Sequence, residues 1–207
     1  MKAQSAKKTT AEAVRLFHDQ DAWQGWLEKN HLKSNGLWLR LAKKGSGLRS
    51  VSYSEAVEIA LCYGWIDGQK KAESEQAWLQ RFLPRSARSI WSKINREKAL
   101  ALIAQNQMKS AGLKAIEAAQ ENGSWEAAYD SPRSAEVPTD LQAALDASPR
   151  AREFFQSLDR ANRYAVLFRI QTTKEAVARA AKIRQFVEML ERNQRIHEPR
   201  KLRGYSK

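Results

Sequence analysis

The hydrophobic period of the sequence changes at Gly36 and again after Pro84. From Leu37 to Leu41 apolar residues alternate, with Leu37, Leu39 and Leu41 on one side and Trp38 and Arg40 on the other, as in a half-buried strand. Residues 65–71 and 76–83 read as two more strands joined near Glu73-Ser74-Glu75, the second alternating Trp78, Gln80 and Phe82 against Leu79 and Arg81. Pro84 has no N–H to give a ladder and ends the third strand. Elsewhere the spacing is helical. Three short strands inside a helical pattern predict an α+β fold: a small antiparallel sheet of about three strands packed with helices, then a helical C-terminal region.

The helical segments follow from spacing and end signals. Ala13, Val14 and Phe17 suggest a helix from Thr10, and Asp21 can cap a second one through Trp23, Trp26 and Leu27. Ser52 or Ser54 opens a helix carrying Ala56, Ile59, Ala60 and Tyr63, which Gly64 stops. Ile90, Ile94 and Leu102 mark a helix over 89–105, and Leu113, Ile116 and Ala119 one over 110–121. Residues 131–138, with Pro132, Pro138, Ser131 and Ser134, read as a linker. Beyond them the spacing predicts helices over 139–147, 149–158, 160–170 and 173–193, the last with an apolar seam of Ala176, Ala180, Ile183, Val187 and Leu190. The expected organisation is a disordered basic leader over 1–10, an α+β lobe over 11–130, the linker, a helical region over 139–195 and a disordered basic tail over 196–207.

At 207 residues with 43% hydrophobic residues and seven Trp, the chain supports one generous domain or a core with a smaller helical lobe. Its net charge of +13 is uneven, since residues 150–207 hold 15 Lys/Arg against 6 Asp/Glu. That asymmetry attracts an acidic partner, be it nucleic acid, anionic lipid or protein, or else forms a solvated face. The single Cys62 sits in an apolar run, which excludes an internal disulfide framework and points to a buried hydrophobe rather than a nucleophile. The polar, lysine-rich start is followed by no apolar stretch of signal-peptide length, and no segment approaches a membrane span, so a cytoplasmic location is expected.

The run Ala60-Leu61-Cys62-Tyr63-Gly64-Trp65-Ile66-Asp67-Gly68, then Arg81-Phe82-Leu83-Pro84-Arg85 and Ser89-Ile90-Trp91-Ser92-Lys93-Ile94-Asn95, resembles the bacterial YdeI/OmpD-associated, or bacteriocin-protection, family. Trp26-Leu27, Gly36-Leu37-Trp38-Leu39, Lys43-Lys44, Ser52-Tyr53-Ser54-Glu55-Ala56, Met108, the Gly112 segment and Ala180-Ala181-Lys182-Ile183 extend the resemblance, in order, over about 20–195. It implies a small α+β unit with a helical C-terminal region and a role in protection against bacteriocins or antimicrobial peptides. It carries over no catalytic residues. Where relatives often continue with arginine after Pro84-Arg85, this chain has Ser86-Ala87-Arg88.

Candidate chemistry is sparse. His18, His31 and His197 form no metal-ligand spacing, no Gly-x-Ser-x-Gly elbow is present, and Gly45-Ser46-Gly47 lacks the Walker pattern, so neither metal nor cofactor is expected. The segment 84–96 offers Arg85, Arg88, Ser89, Ser92 and Asn95 around an expected helix start, where outward N–H groups and guanidinium charge can receive a phosphate or carboxylate. Asp67 either orients one of those arginines or closes a turn with Gly68; Ser89 either contributes to the site or caps the helix.

Three classes of function follow. The first is a non-enzymatic binding protein that takes an anionic ligand or acidic partner at this segment, with a role in stress or antimicrobial resistance. The second is non-specific nucleic-acid binding through a basic face of Lys174, Arg179, Lys182 and Arg184. The third is a small-molecule enzyme, which requires Asp67, Arg85, Ser92 and Asn95 to converge in one cleft.

Overall fold

Asp19 sets the first helix. Its carboxylate accepts the N–H of Ala22 at 3.0 Å, so α1 spans Gln20–Asn30 and its cap lies two residues before the expected Asp21. The computed structural model describes residues 12–198, and the basic leader expected over 1–10 lies outside them. Two compact units are present: one formed by the chain up to Trp91 together with Asn95–Glu126, the other by Ser92–Ile94 together with the chain from Ala127 on.

The first unit is built on a four-stranded sheet, one strand more than expected. Strand β1 (Val14–Leu16) runs parallel to β2 (Leu37–Ala42); β4 (Ala77–Pro84) pairs antiparallel with β2 and with β3 (Trp65–Ala72), giving the order β1-β2-β4-β3. The helix expected from Thr10 is thus a strand over its described part. Ala13 and Phe17 lie four apart and mimic a helical face, but the backbone here bonds sideways: Trp38 N–H donates to Ala13 O at 3.0 Å and Val51 N–H to Phe17 O at 2.9 Å. Pairing with neighbouring chain overrides a weak local pattern.

The alternation read in β2 holds. Leu37, Leu39 and Leu41 are buried on one face with Phe82, and Trp23 of α1 packs 5.5 Å from the Phe82 ring while its indole N–H donates to Ala56 O at 3.1 Å. On the opposite face Lys71 Nζ lies 4.0 Å over the Trp38 ring, and Arg40 pairs with Glu73 at 2.6 Å. Buried Gln80 bridges an irregularity in the sheet: the register of β3 slips between Asp67 and Lys70, and the Gln80 amide donates to Gly68 O at 2.9 Å and Gln69 O at 3.3 Å.

Three helices complete the unit. Helix α2 (Tyr53–Cys62) starts with a capping box in which Ser52 and Glu55 exchange side-chain and backbone bonds. Helix α3 covers Lys93–Ala104 and α4 covers Ser110–Glu121. The start of α3 lies four residues beyond the position expected, because Ser86 to Ser89 close a turn of their own: Ser86 N–H donates to Ser89 Oγ at 3.0 Å and Ser89 N–H to Ser86 O at 2.9 Å. Ile90, Ile94 and Leu113, read as core, are 40%, 47% and 46% exposed, whereas Leu102, Ile116 and Ala119 are buried as expected.

In the second unit α5 (Thr139–Asp146), α6 (Pro149–Ser157), α7 (Arg160–Gln171) and α8 (Ala176–Glu191) follow the predicted order. Ser148, Asp159 and Glu175 accept first-turn N–H groups at the last three starts, and Pro149 takes the first position of α6, where a missing N–H costs nothing. The core gathers Leu141, Leu145, Phe155, Val166, Ile170, Ile183, Phe186 and Leu190. The seam of α8 is buried only in its second half: Ala176 and Ala180 are exposed and Phe186 turns inward. Ala135 and Val137 of the Pro-rich segment pack against this core, as does Ile196. The tail expected to be free from residue 196 is held at His197, whose N–H donates to Asn162 Oδ1 at 2.8 Å; residues 199–207 lie outside the described chain.

Candidate anion-binding cleft

The C-terminal end of α2 creates a crowded corner. Tyr63 caps the helix, and Gly64 turns the chain with φ of 71°, a conformation that costs other residues strain. A Cβ at Gly64 would lie 2.7 Å from Ala111 O, so α4 sits directly against this turn. Gly112 permits that approach, since a Cβ there would stand 2.5 Å from Cys62 O and 2.7 Å from Leu61 O. Arg85 N–H donates to Gly64 O at 2.9 Å, which brings the end of β4 to the same corner.

Between these elements lies a cleft of about 340 Å³, within the size range of small-molecule sites. Its apolar surface comes from Trp65, Trp91 and Pro84 and from Ala111, Ala115 and Ala118, which fall on one side of α4. His31, Arg85 and Lys114 supply positive or protonatable groups, Ser86, Ser89 and Asn122 supply neutral polar ones, and among the described residues no carboxylate lines it. The loop carrying Arg85 is anchored from both sides. The guanidinium lies 3.6 Å over the buried Trp91 ring and donates to Ile90 O at 3.3 Å, while Asn122 donates to Ala87 O at 3.4 Å. Trp91 in turn meets Trp125 edge to face at 4.8 Å.

Tyr63, 5% exposed, forms part of the cleft wall with its ring 5.2 Å from that of His31. Its hydroxyl is buried with no hydrogen-bond partner among the described residues. Burial pushes its pKa upward, helped by the charge of Glu28, so the group is a protonated phenol. Burial likewise raises the Cys62 thiol, which suits the inert hydrophobe expected from its apolar surroundings.

The cleft unites only part of the set read from sequence. Arg85 and Ser89 line it, whereas Arg88 is exposed beside it. The expected helix start is absent from this surface, since α3 begins at Lys93 and Ser89 closes the turn with Ser86 instead. Asp67 accepts the Tyr53 hydroxyl at 2.7 Å. Ser92 forms a bridge with Tyr129 in the second unit, and Asn95 lies in α3; neither lines the cleft. The four-residue constellation required for an enzyme therefore does not converge here. His31, Tyr63, Lys114 and Asn122 were missed, because their shared location depends on packing between distant segments. The spacing of Ala111, Ala115 and Ala118 was the one available signal, and it reads equally as core.

In the second unit the basic residues are unequal. Arg179 donates to both oxygens of Asp140, at 2.6 and 3.0 Å, and to Ile170 O at 2.7 Å, so its guanidinium is engaged internally. This pairing holds the Asp140 carboxyl below the usual carboxylate range. Lys182 borders a groove with Arg169 and Arg192, while Lys174 and Arg184 are exposed. Among the described residues no helix is long and apolar enough to cross a membrane, and no three His, Cys, Asp or Glu side chains gather in a metal-binding group.

Comparison with known families divides the chain similarly. Residues 15–115 match a domain of unknown function (DUF8412), and residues 134–193 match the model described as bacteriocin-protection, YdeI or OmpD-associated. The motifs around Gly64, Pro84 and Trp91 thus fall within the first match rather than the second. No curated protein and no solved structure matches the chain. The likeness to the YdeI/OmpD-associated family thus lies in residues 134–193, the C-terminal helices.

Proposed function

We propose that the first unit is a binding module for a small organic anion, held in the cleft by Arg85 and Lys114, and that the protein acts inside the cell in a protective or stress-related role. The observation that carries this reading is the composition of the cleft wall: a guanidinium, an ammonium and an imidazole, with no acidic group beside them among the described residues. Positive charge beside apolar walls is felt more strongly than in water, so an entering anion gains more there than at an open surface. Binding is favoured over catalysis because Asp67, Ser92 and Asn95 lie elsewhere. Nucleic-acid binding is weakened by the internal use of Arg179. The protective role rests on the family description alone.

The test is thermal stabilisation by benzoate and related small carboxylates, measured on wild type, Lys114→Glu and Arg85→Gln. Lys114 is exposed, so its variant should fold normally even if loss of the Arg85–Trp91 stack disturbs the other. Wild type should be stabilised, with each substitution lowering affinity about tenfold or more, the scale of one hydrogen bond to a charged group. Absence of stabilisation by every anion, or an unchanged response in Lys114→Glu, would reject the cleft as an anion site.

A further inference from the structure

The helical unit carries a binding surface of its own. We propose that one face of α7 binds a straight-chain aliphatic carboxylate, with the hydrocarbon lying along the helix and the carboxylate at Arg160. Helix α7 is apolar on two opposite sides. Val166, Leu167 and Ile170 enter the core of the unit, whereas Ala161, Tyr164, Ala165 and Phe168 recur at helical spacing on the other side and, with Pro132, line an open groove of about 550 Å³. Ala161 and Pro132 are exposed and the two rings are half-buried, so the groove is open to an incoming molecule. A contiguous apolar surface left in water marks a place where something binds.

Shape and charge select the occupant. Ala161 and Ala165 lie one turn apart, as do Tyr164 and Phe168, so small and large side chains form two rows along the axis. The rings are fixed: the Tyr164 hydroxyl donates to Asp130 O at 2.8 Å, and Phe168 meets Tyr129 edge to face at 4.9 Å. From Arg160 to Phe168 the helix rises about 12 Å, a length that a saturated chain of roughly ten carbons covers. Two turns of one helix are too little for a stable protein partner, which covers about 800 Å². Arg160, Arg169 and His197 border the groove, and among the described residues no carboxylate lines it, so its charge complements an anion. Arg160 is exposed, and the neighbouring Asp159 carboxylate is turned to Asn162, whose N–H it accepts at 2.8 Å. Buried Asn162 also fixes His197, accepting its N–H at 2.8 Å and donating to its carbonyl at 3.1 Å. Arg169 donates to Ala165 O at 2.9 Å and also borders the groove of Lys182 and Arg192, which leaves Arg160 to receive the head group.

The experiment measures binding of butanoate, hexanoate, octanoate and decanoate, all below their micelle concentrations, by calorimetry on the full chain. Affinity should rise about two- to fourfold with each methylene up to decanoate, the effect of burying part or all of the group. Octanoate should bind at least about threefold more tightly than 1-octanol, the scale of one exposed ion pair. Arg160→Glu should weaken octanoate about three- to tenfold while leaving 1-octanol unchanged. Ala161→Glu places a carboxylate in the groove from an exposed first-turn position of α7, where it suits folding, and should abolish binding of the long chains. The same chain-length series should survive in Lys114→Glu, which disables the cleft of the first unit. No binding of octanoate or decanoate, affinity independent of chain length, 1-octanol binding as tightly as octanoate, or unchanged binding in Ala161→Glu overturns the proposal. Loss of octanoate binding in Lys114→Glu assigns these acids to the first unit's cleft and overturns it as well. So does a dimer in sedimentation that Ala161→Glu dissolves, since the groove then belongs to a second copy. Failure of the benzoate test at Arg85 and Lys114 leaves this groove standing.

Discussion

Alanine substitution should have opposite effects at two helical glycines. At Gly112 the new Cβ would lie 2.5 Å from Cys62 O and 2.7 Å from Leu61 O, with Met108 Sδ also inside contact distance. Met108 can rotate away, but the two carbonyls belong to the end of α2 and cannot, so α4 must retreat by about half an ångström. Overpacking of this kind costs about 1–3 kcal/mol, and the backbone contacts place it in the upper part of that range. Alanine returns about 1 kcal/mol of helix propensity, leaving a net loss of about 1–2 kcal/mol. At Gly25, inside α1, nothing lies within 4 Å of the added methyl, so the propensity gain of about 1 kcal/mol should appear undiminished. All seven Trp residues belong to the first unit, so urea unfolding followed by tryptophan fluorescence reports on that unit. Gly112→Ala should lower the midpoint and Gly25→Ala should raise it. A Gly112→Ala protein as stable as wild type would show that α4 is not seated on α2 as described.

Other outcomes follow from the same contacts. Gln80→Leu strips the Gly68 and Gln69 carbonyls of their donor inside the sheet and should cost about 1–3 kcal/mol by the same fluorescence assay. Asp140 has a folded pKa below its unfolded one, so its contribution is present above the unfolded value near pH 4 and fades as pH falls through the folded value. The pair is partly exposed, so Asp140→Asn should cost about 1 kcal/mol or less at neutral pH, with the gap from wild type closing in acid when followed by circular dichroism.

The sequence made regular elements easier to recognise than their assembly. The alternation from Leu37 to Leu41 and the four C-terminal helices are carried by residues close in the chain, and both patterns survive in the structure. Strand β1 has only three residues and depends on β2 beside it, so no local pattern could announce it. The cleft poses the same difficulty on a larger scale. Arg85 and Ser89 stood out by charge and turn chemistry, but their expected setting was a helix start that occurs only at Lys93. His31, Tyr63 and Lys114 come from separate elements, and Lys114 joins the same cleft because Gly64 and Gly112 let α4 approach α2.

The second unit is not one uninterrupted length of chain. Ser92 bridges Tyr129, and Lys93 donates its N–H to Tyr129 O at 2.9 Å while its ammonium reaches Asp130 at 2.7 Å. A fragment starting at Ala127 would contain all four C-terminal helices yet lose those partners, exposing backbone around Tyr129 that the intact protein covers. Excising the family-defining helices for study therefore calls for retaining the short upstream piece, for example by rejoining residues 92–94 through a flexible linker.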